Sequence, residues 1–511
     1  MGKRIVVNAG LTETRVAVQE GSLLTELYVE RHGRRSIVGS VHKGVVTNVL
    51  PGMQAAFVDI DLTKDAFLYA GDYTANVSDD LRDAGPDGVA VDDDADADVE
   101  VDEPEPRREV RGPIEDVLRK GQEILVQVSK ESLGTKGARI TSFISLPGRY
   151  LVYMPQAHRI GVSRRIRDEL ERDRLRSVVR GLNPPPGGFI VRTNAEGKGE
   201  PEFAADLEFL GRLWAQIQAR YEERRPPAVL HEEGDLIFRV VRDLLAPEVD
   251  EFLIDNREVY DRCAGYVQAL VPALAERVKW YEGRQPIFEA FGIEKEIDKA
   301  LRRRVWLKSG GYIVIDHTEA LVSIDVNTGK YVGKRDFEQT VLKINLEAVG
   351  EIVRQIRLRD LGGIIIIDFI DMEVPDHREQ VEKALNRALA EDKARTNVLA
   401  ISELGLVEMT RKRVRQDLRS LLTESCPVCR GAGVIKSSAT LAAEVFRAVQ
   451  AKAADAAGRE VVVRAHPDFA GHLESNEREA LQRLAQALDV KVTVQAVSAQ
   501  SSREEYEITI R

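Results

Sequence analysis

"GGIIIIDFIDM", residues 362–372, decides how the second half of the chain folds. Four consecutive isoleucines released by a glycine pair read as a strand buried on both faces. The apolar run ends on two carboxylates, Asp368 and Asp371. A charge at the mouth of such a strand costs several kcal/mol unless a basic group or a metal meets it.

Upstream, "LVSIDVNTG" (321–329) ends in the same way. Alternation puts Ser323 and Asp325 on one face and Ile324 and Val326 on the other, with Asn327 following Asp325 on its side. The pattern over 337–359 predicts a helix of roughly 23 residues that carries the chain back about 35 Å. Strand, long crossover and strand make a parallel pair with carboxyl ends together. Asp325 and Asp368 are thus expected at the edge where open α/β sheets place their sites. Two carboxylates brought together repel unless a cation lies between them. Mg²⁺ suits such a pair, being a hard ion that takes one or two carboxylates, keeps several waters and accepts phosphate oxygens. Asn327 can position a water or a phosphate without adding charge. The alternative is that both aspartates cap strand ends and pair with Arg354 or Arg357.

Further outward, residues 3–30 alternate as paired strands, and the short β-rich runs of 38–72 suggest a small barrel resumed at 121–131. Between them, 79–111 is rich in acid, Pro and Gly and nearly free of aromatics, as a disordered, solvated loop would be. Strand-rich sequence follows, with a helix over 163–181. Residues 203–222 and 232–278 read as mainly helical, and 293–302 as a helix. The hairpin "GGYIVIDHTEALVSIDVNTG" then leads into the carboxylate strands. The last unit reads as a small α+β domain: a helix at 439–455, the strand "REVVVRAHPDF", a helix at 475–488 and "KVTVQAV".

At 511 residues the chain holds about three to five domains. Hydrophobic content of 43% with 31% charged is that of a soluble protein, and no apolar run approaches the ~18 residues of a membrane span. The start "MGKRIVVNAG" lacks a signal-peptide core, and Val6 stands where N-myristoylation wants Ser or Thr. Three cysteines argue for a reducing, cytoplasmic compartment. The net charge of −11 owes nine units to "DDDADADVEVDEPE" at 92–105; without them it is −2. Basic clusters at 301–305, 354–359 and 411–419 read, each taken alone, as solvated helix faces.

Cys426 and Cys429 form a lone CxxC in "CPVCRGAG", and Cys263 lies far upstream. Zinc wants four ligands, so two chains each supplying two would share one ion. A redox CxxC normally opens a helix after a strand, whereas this one precedes "RGAG".

"SIDVNTG", "NLEAV…IVRQIRLRDLGGIIIIDFIDM", "LGLVEMTRKR" and "CPVCRGAG" resemble the catalytic core of the ribonuclease E/G family. "GMQAAFVDI", "LGTKGARIT", "GRQPIF" and "LKSGGYIVIDHTEA" match in the same order along nearly the whole chain. The chain stops soon after its last small domain, which suggests the shorter, ribonuclease G-like branch and no scaffold role.

The resemblance implies an α/β and α+β multidomain fold. An RNase H-like unit is expected at 1–37 plus 237–300 and an inserted OB-type (S1-like) barrel at 38–142, carrying the acidic insertion 79–111. A 5′-phosphate sensor follows at 143–236, a DNase I-like catalytic unit at 301–422, a zinc link at 423–433 and a small C-terminal α+β domain at 434–511. It further implies an endoribonuclease of rRNA maturation and mRNA decay. Such an enzyme cuts single-stranded, AU-rich RNA with Mg²⁺, prefers 5′-monophosphorylated ends, and leaves a 5′-phosphate and a 3′-hydroxyl. Asp325 and Asp368 fall on the family's magnesium aspartates and Asn327 on its supporting asparagine, which leaves Asp371 a structural neighbour. Phe57, Phe67 and Lys136 fall on RNA-binding positions. Gly148, Val152, Arg192, Thr193 and Arg395 fall on the 5′-monophosphate pocket. Cys426 and Cys429 fall on a Zn²⁺ link that joins a homodimer, with pairing into tetramers left open.

Overall fold

The computed structural model describes residues 2–33, 36–73, 113–131, 137–163, 165–329, 337–402, 404–413, 415–429, 431–453, 460–497 and 504–511. The acidic insertion 79–111 and Lys136 lie outside the described residues. Two compact units divide the chain, Met1–Arg419 and Ser420–Arg511.

The first unit opens with an antiparallel meander of β1 (Lys3–Ala9), β2 (Glu13–Glu20) and β3 (Leu23–Arg31). Next come β4 (Val41–Leu50), β5 (Ala55–Asp59), β6 (Ala66–Tyr69), β7 (Glu123–Lys130) and β8 (Arg139–Thr141). They run β4-β5-β6-β8-β7, and β7 pairs back onto β4, so these five strands close a barrel. Val46, Val58, Ile60, Leu68, Val126 and Ile140 fill it.

Beyond the barrel, β9 (Leu146–Pro147), β10 (Leu151–Met154), β11 (Ile160–Val162) and β12 (Gly188–Val191) form a four-stranded sheet. Helices α1 (Glu169–Gly181) and α2 (Glu200–Glu223) contribute to its core. Helix α1 starts six residues later than the pattern suggested, because Asp168 caps it by accepting from the N–H of Leu170. Strand β13 (Ala228–His231) then adds to the barrel at β4.

Residues 232–278 are mainly helical, as expected, but strands interrupt and end the run. Between α3 (Leu236–Leu244) and α4 (Arg257–Leu270) runs β14 (Val249–Ile254), parallel to β1, and β15 (Val278–Trp280) adds beside it. The strand "VDEFLI" escapes a pattern reading because it is short and flanked by stronger helical segments. The resulting sheet, β15-β14-β1-β2-β3, is built from both ends of a 280-residue stretch.

After α5 (Ile293–Ala300) come β16 (Arg304–Trp306), β17 (Tyr312–His317) and β18 (Leu321–Asn327), then the crossover helix α6 (Phe337–Arg359) and β19 (Gly363–Asp368). Helix α7 (Pro375–Leu389), β20 (Thr396–Val398) and β21 (Leu406–Arg411) complete a six-stranded sheet ordered β16-β17-β18-β19-β21-β20. Only β18 and β19 pair in parallel. One face, carrying Val305, Ile313, Val322, Ile324, Ile365, Ile367 and Val407, packs on α6 and α7.

The isoleucine strand is therefore buried on one face, not two. Ile365 and Ile367 are fully buried, whereas Ile364 is 48% exposed. The helices lie on one side only, so unbroken hydrophobicity here does not mean two covered faces. Gly363 starts β19 at φ +91°, where a Cβ would meet the Arg413 guanidinium at 2.9 Å, so the turn needs glycine.

In the second unit, β22 (Glu460–Ala465) lies between β23 (Lys491–Ala496), parallel to it, and β24 (Tyr506–Ile510), antiparallel. Helices α8 (Ser438–Ala453), α9 (Pro467–Ser475) and α10 (Arg478–Leu488) share its core. The expected strand through "HPDF" stops at Ala465, because Pro467 at the first helical position starts α9.

Candidate active site

Strands β18 and β19 run in register from Leu321 opposite Ile364 to Asp325 opposite Asp368. The two carboxylates are thus the last partners of the parallel ladder, both exposed at its carboxyl end. Asn327, two residues beyond Asp325 on the same face, donates from Nδ2 to the Asp325 carboxylate at 2.8 Å. Partial burial, then the charges of Asp325 and Asp371, push the Asp368 carboxyl above its ordinary range. Asp371 thus acts on Asp368 electrostatically.

Among the described residues no ion pair reaches Asp325, Asp368 or Asp371. Arg354 is bound by Glu351 and Glu296, and Arg357 by Glu20 and Glu26. Capping by those arginines is excluded. What remains is two mutually repelling oxygen donors and a neutral amide, a set that fits a hard divalent cation with most of its shell left to water and phosphate. No group of three or more His, Cys, Asp or Glu side chains arranged for a metal occurs among the described residues, so any ion here rests on the two carboxylates.

The pair is held from behind by residues that pattern reading missed. Asn345, fully buried on α6, donates to the Ile370 carbonyl at 2.9 Å and accepts from its N–H at 3.2 Å. This clamps the chain two residues past Asp368. Its signal was a polar residue at a helix position that otherwise faces the core. Arg411 on β21 grips Asp392 at 2.7 Å, Asp360 at 2.6 Å and the Leu361 carbonyl at 3.0 Å, which fixes the turn before β19.

On the barrel, Phe57 and Phe67 are directly opposite on β5 and β6, half-buried, with ring centroids 5.5 Å apart edge to face. Tyr69, 43% exposed, extends the row 4.5 Å from Phe67. The Arg139 guanidinium lies 4.7 Å over the Tyr69 ring and is anchored by Asp72 at 2.7 Å. The alternation in "AFLYA" places Tyr69 on the Phe67 face, a signal that the sequence did carry.

Around the residues expected for a phosphate pocket, the Asp206 carboxylate accepts from the backbone N–H groups of Arg149, Tyr150 and Leu151 at 3.0, 2.8 and 2.8 Å. Gly148 lies against the same carboxylate, and a Cβ there would be 2.5 Å from its oxygen. Val152 is buried on β10. Arg192 is fully buried and donates to Asp243 at 2.7 Å and to the Gly148 carbonyl, rather than presenting its guanidinium to solvent. Burial pushes the Asp243 carboxyl up, but Arg242 and Arg192 outweigh it and hold the group well below the carboxylate range. Thr193 is hydrogen-bonded to Ser163 through their hydroxyls at 3.2 Å. Arg395 is exposed, and Arg165 ties the neighbouring 392–393 carbonyls to the turn after β11.

Cys426 is exposed and Cys429 half-exposed. The backbone N–H groups of Gly433 and Gly431 point at the Cys429 sulfur and draw its thiol below the ordinary range. Two cysteine sulfurs three residues apart are of the ligand type that zinc takes. Burial pushes the Cys263 thiol up to about 12.

The sequence profile of the Ribonuclease E/G family matches residues 145–414, and that of an RNase E/G thioredoxin-like domain matches 425–510. Ribonuclease G of Escherichia coli K12 is 42% identical over 495 residues, 97% of each chain. Ribonuclease G of Haemophilus influenzae is 41% identical over 93% of each. Ribonuclease E of Escherichia coli K12 is 37% identical over 94% of this chain and 43% of its own length.

Proposed function

The chain belongs to the ribonuclease E/G family, and from that premise we propose that it is a Mg²⁺-dependent endoribonuclease acting on single-stranded, AU-rich RNA. The observation that carries this reading is the Asp325–Asp368 pair, in register at a strand edge and without a cationic partner among the described residues. When bound, Mg²⁺ supplies positive charge that offsets what develops on the scissile phosphate. Asp325 and Asp368 hold the ion, and Asn327, by donating to Asp325, fixes the direction in which that carboxylate presents its oxygens. Water adds to phosphorus as the P–O3′ bond breaks, leaving a 5′-phosphate and a 3′-hydroxyl. Phe57 and Phe67 stack bases, with Lys136 as a basic neighbour. Gly148, Val152, Arg192, Thr193 and Arg395 form the pocket that favours 5′-monophosphorylated ends. Arg192 acts there from below, through the loop that it holds.

The same reading makes β1–β3 with β14 and β15 an RNase H-like unit and the β16–β21 sheet a DNase I-like one. It places Cys426 and Cys429 on a zinc shared with a second copy in a homodimer, and the protein in cytoplasmic rRNA maturation and mRNA decay. No helix among the described residues is long and apolar enough to cross a membrane. The test is a gel of one 5′-monophosphorylated AU-rich RNA with Mg²⁺ and with EDTA. Discrete internal cuts in Mg²⁺ alone support the reading. Binding without cutting in both lanes replaces it with that of an RNA-binding protein lacking the chemistry.

A further inference from the structure

We propose that Trp306, with Tyr312 and Arg304, forms a base-stacking shelf for a nucleotide flanking the cleaved phosphate; this rests on the endoribonuclease reading and adds a substrate contact to it. Across β16, β17 and β18, Trp306 is opposite Tyr312 and Tyr312 opposite Asn327. One row along, Arg304 is opposite Val314, Val314 opposite Asp325 and Asp325 opposite Asp368. Directly opposed residues point to the same side of a sheet, and strands are spaced by about 4.8 Å. Trp306 and Arg304 therefore stand on the face of the carboxylates, about 10 Å from Asn327 and Asp325. Val305, Ile313 and Val326, on the other face, are in the core.

Trp306 is 62% exposed although its chain neighbours, Val305 and Leu307, are buried. An indole left in water forgoes a large burial gain. Its position is nonetheless supported: the Trp306 and Tyr312 rings meet edge to face at 5.3 Å, and the Arg304 guanidinium lies 4.4 Å over Tyr312 and 5.8 Å from Trp306. An open aromatic face beside a cation is the arrangement that holds single-stranded nucleic acid, the ring taking a base and the cation its phosphate. Trp280, the other exposed tryptophan, lies on β15 of a different sheet with Arg257 over its ring, away from the carboxylates.

The experiment uses the full chain with Trp214→Phe and Trp280→Phe, which leaves Trp306 as the sole indole. Short single-stranded RNA is titrated in EDTA while anisotropy of a label on the RNA reports saturation. Trp306 emission is expected to be quenched by intact RNA and to recover when the nucleotide flanking the cut is abasic. With Mg²⁺, Trp306→Ala should raise KM about tenfold, more than it lowers kcat, and Trp306→Phe should recover most of the loss. Unchanged emission at saturating RNA, or a wild-type KM in Trp306→Ala, overturns the shelf. A protein that quenches but never cuts keeps the shelf and overturns the cleavage reading instead.

Discussion

At the scale of single residues, the candidate site was legible where a side chain broke the rule of its element. Asp325, Asn327 and Asp368 are polar groups at the ends of apolar strands, the kind of local conflict that singles residues out as candidates. Arg192 was legible as important but not as buried, because its partner Asp243 sits 51 residues away and nothing in "RVVRDLLAP" marks it as a counter-ion. Replacing Asp243 by Ala should cost about 3–5 kcal/mol near neutral pH, since it removes the carboxylate that the buried Arg192 and Arg242 share, although Arg242 keeps Glu233. Because the folded-state pKa of Asp243 is depressed, its contribution is present above the unfolded carboxyl value and is lost as pH falls through the folded one. Urea unfolding of wild type and variant should show a gap that narrows toward strong acid. A gap independent of pH would remove Asp243 from the network.

At the scale of elements, the strand–helix–strand crossover was readable, because amphipathic period and length both point to one helix of about 337–359, which the described residues show as Phe337–Arg359. Which faces are covered was not readable. The isoleucine run lacks alternation, yet α6 and α7 cover one side only and leave Ile364 in solvent. Hydrophobic identity records what a strand tolerates; the number of layers over it is a tertiary fact. The clamp behind β19 was likewise invisible, since Asn345 and Ile370 are joined by two hydrogen bonds across 25 residues. Asn345→Leu should leave both Ile370 backbone groups without their partner and cost about 1–3 kcal/mol. Activity should fall more steeply than stability, because the displaced segment adjoins Asp368. Wild-type kcat in a destabilised Asn345→Leu protein would confine the clamp to folding.

At the scale of the whole molecule, the basic clusters that looked like solvated faces are partly internal ties: Arg357, Arg359 and Arg411 are buried. Arg357 bridges α6 to Glu20 and Glu26 of the first sheet, so charge here joins sheets that composition cannot relate. If Cys426 and Cys429 share a zinc with a second copy, Cys426→Ser should release the metal and halve the mass seen by light scattering; an unchanged mass would remove the link. The central claim is that Asp325 and Asp368 together make the chain a nuclease. The most direct measurement is the Mg²⁺-dependent cleavage rate of Asp325→Asn and Asp368→Asn on a single-stranded RNA, with RNA affinity recorded alongside. A fall of at least about 100-fold in rate with affinity near the wild-type value is predicted. Near-normal cleavage by either variant would contradict the account.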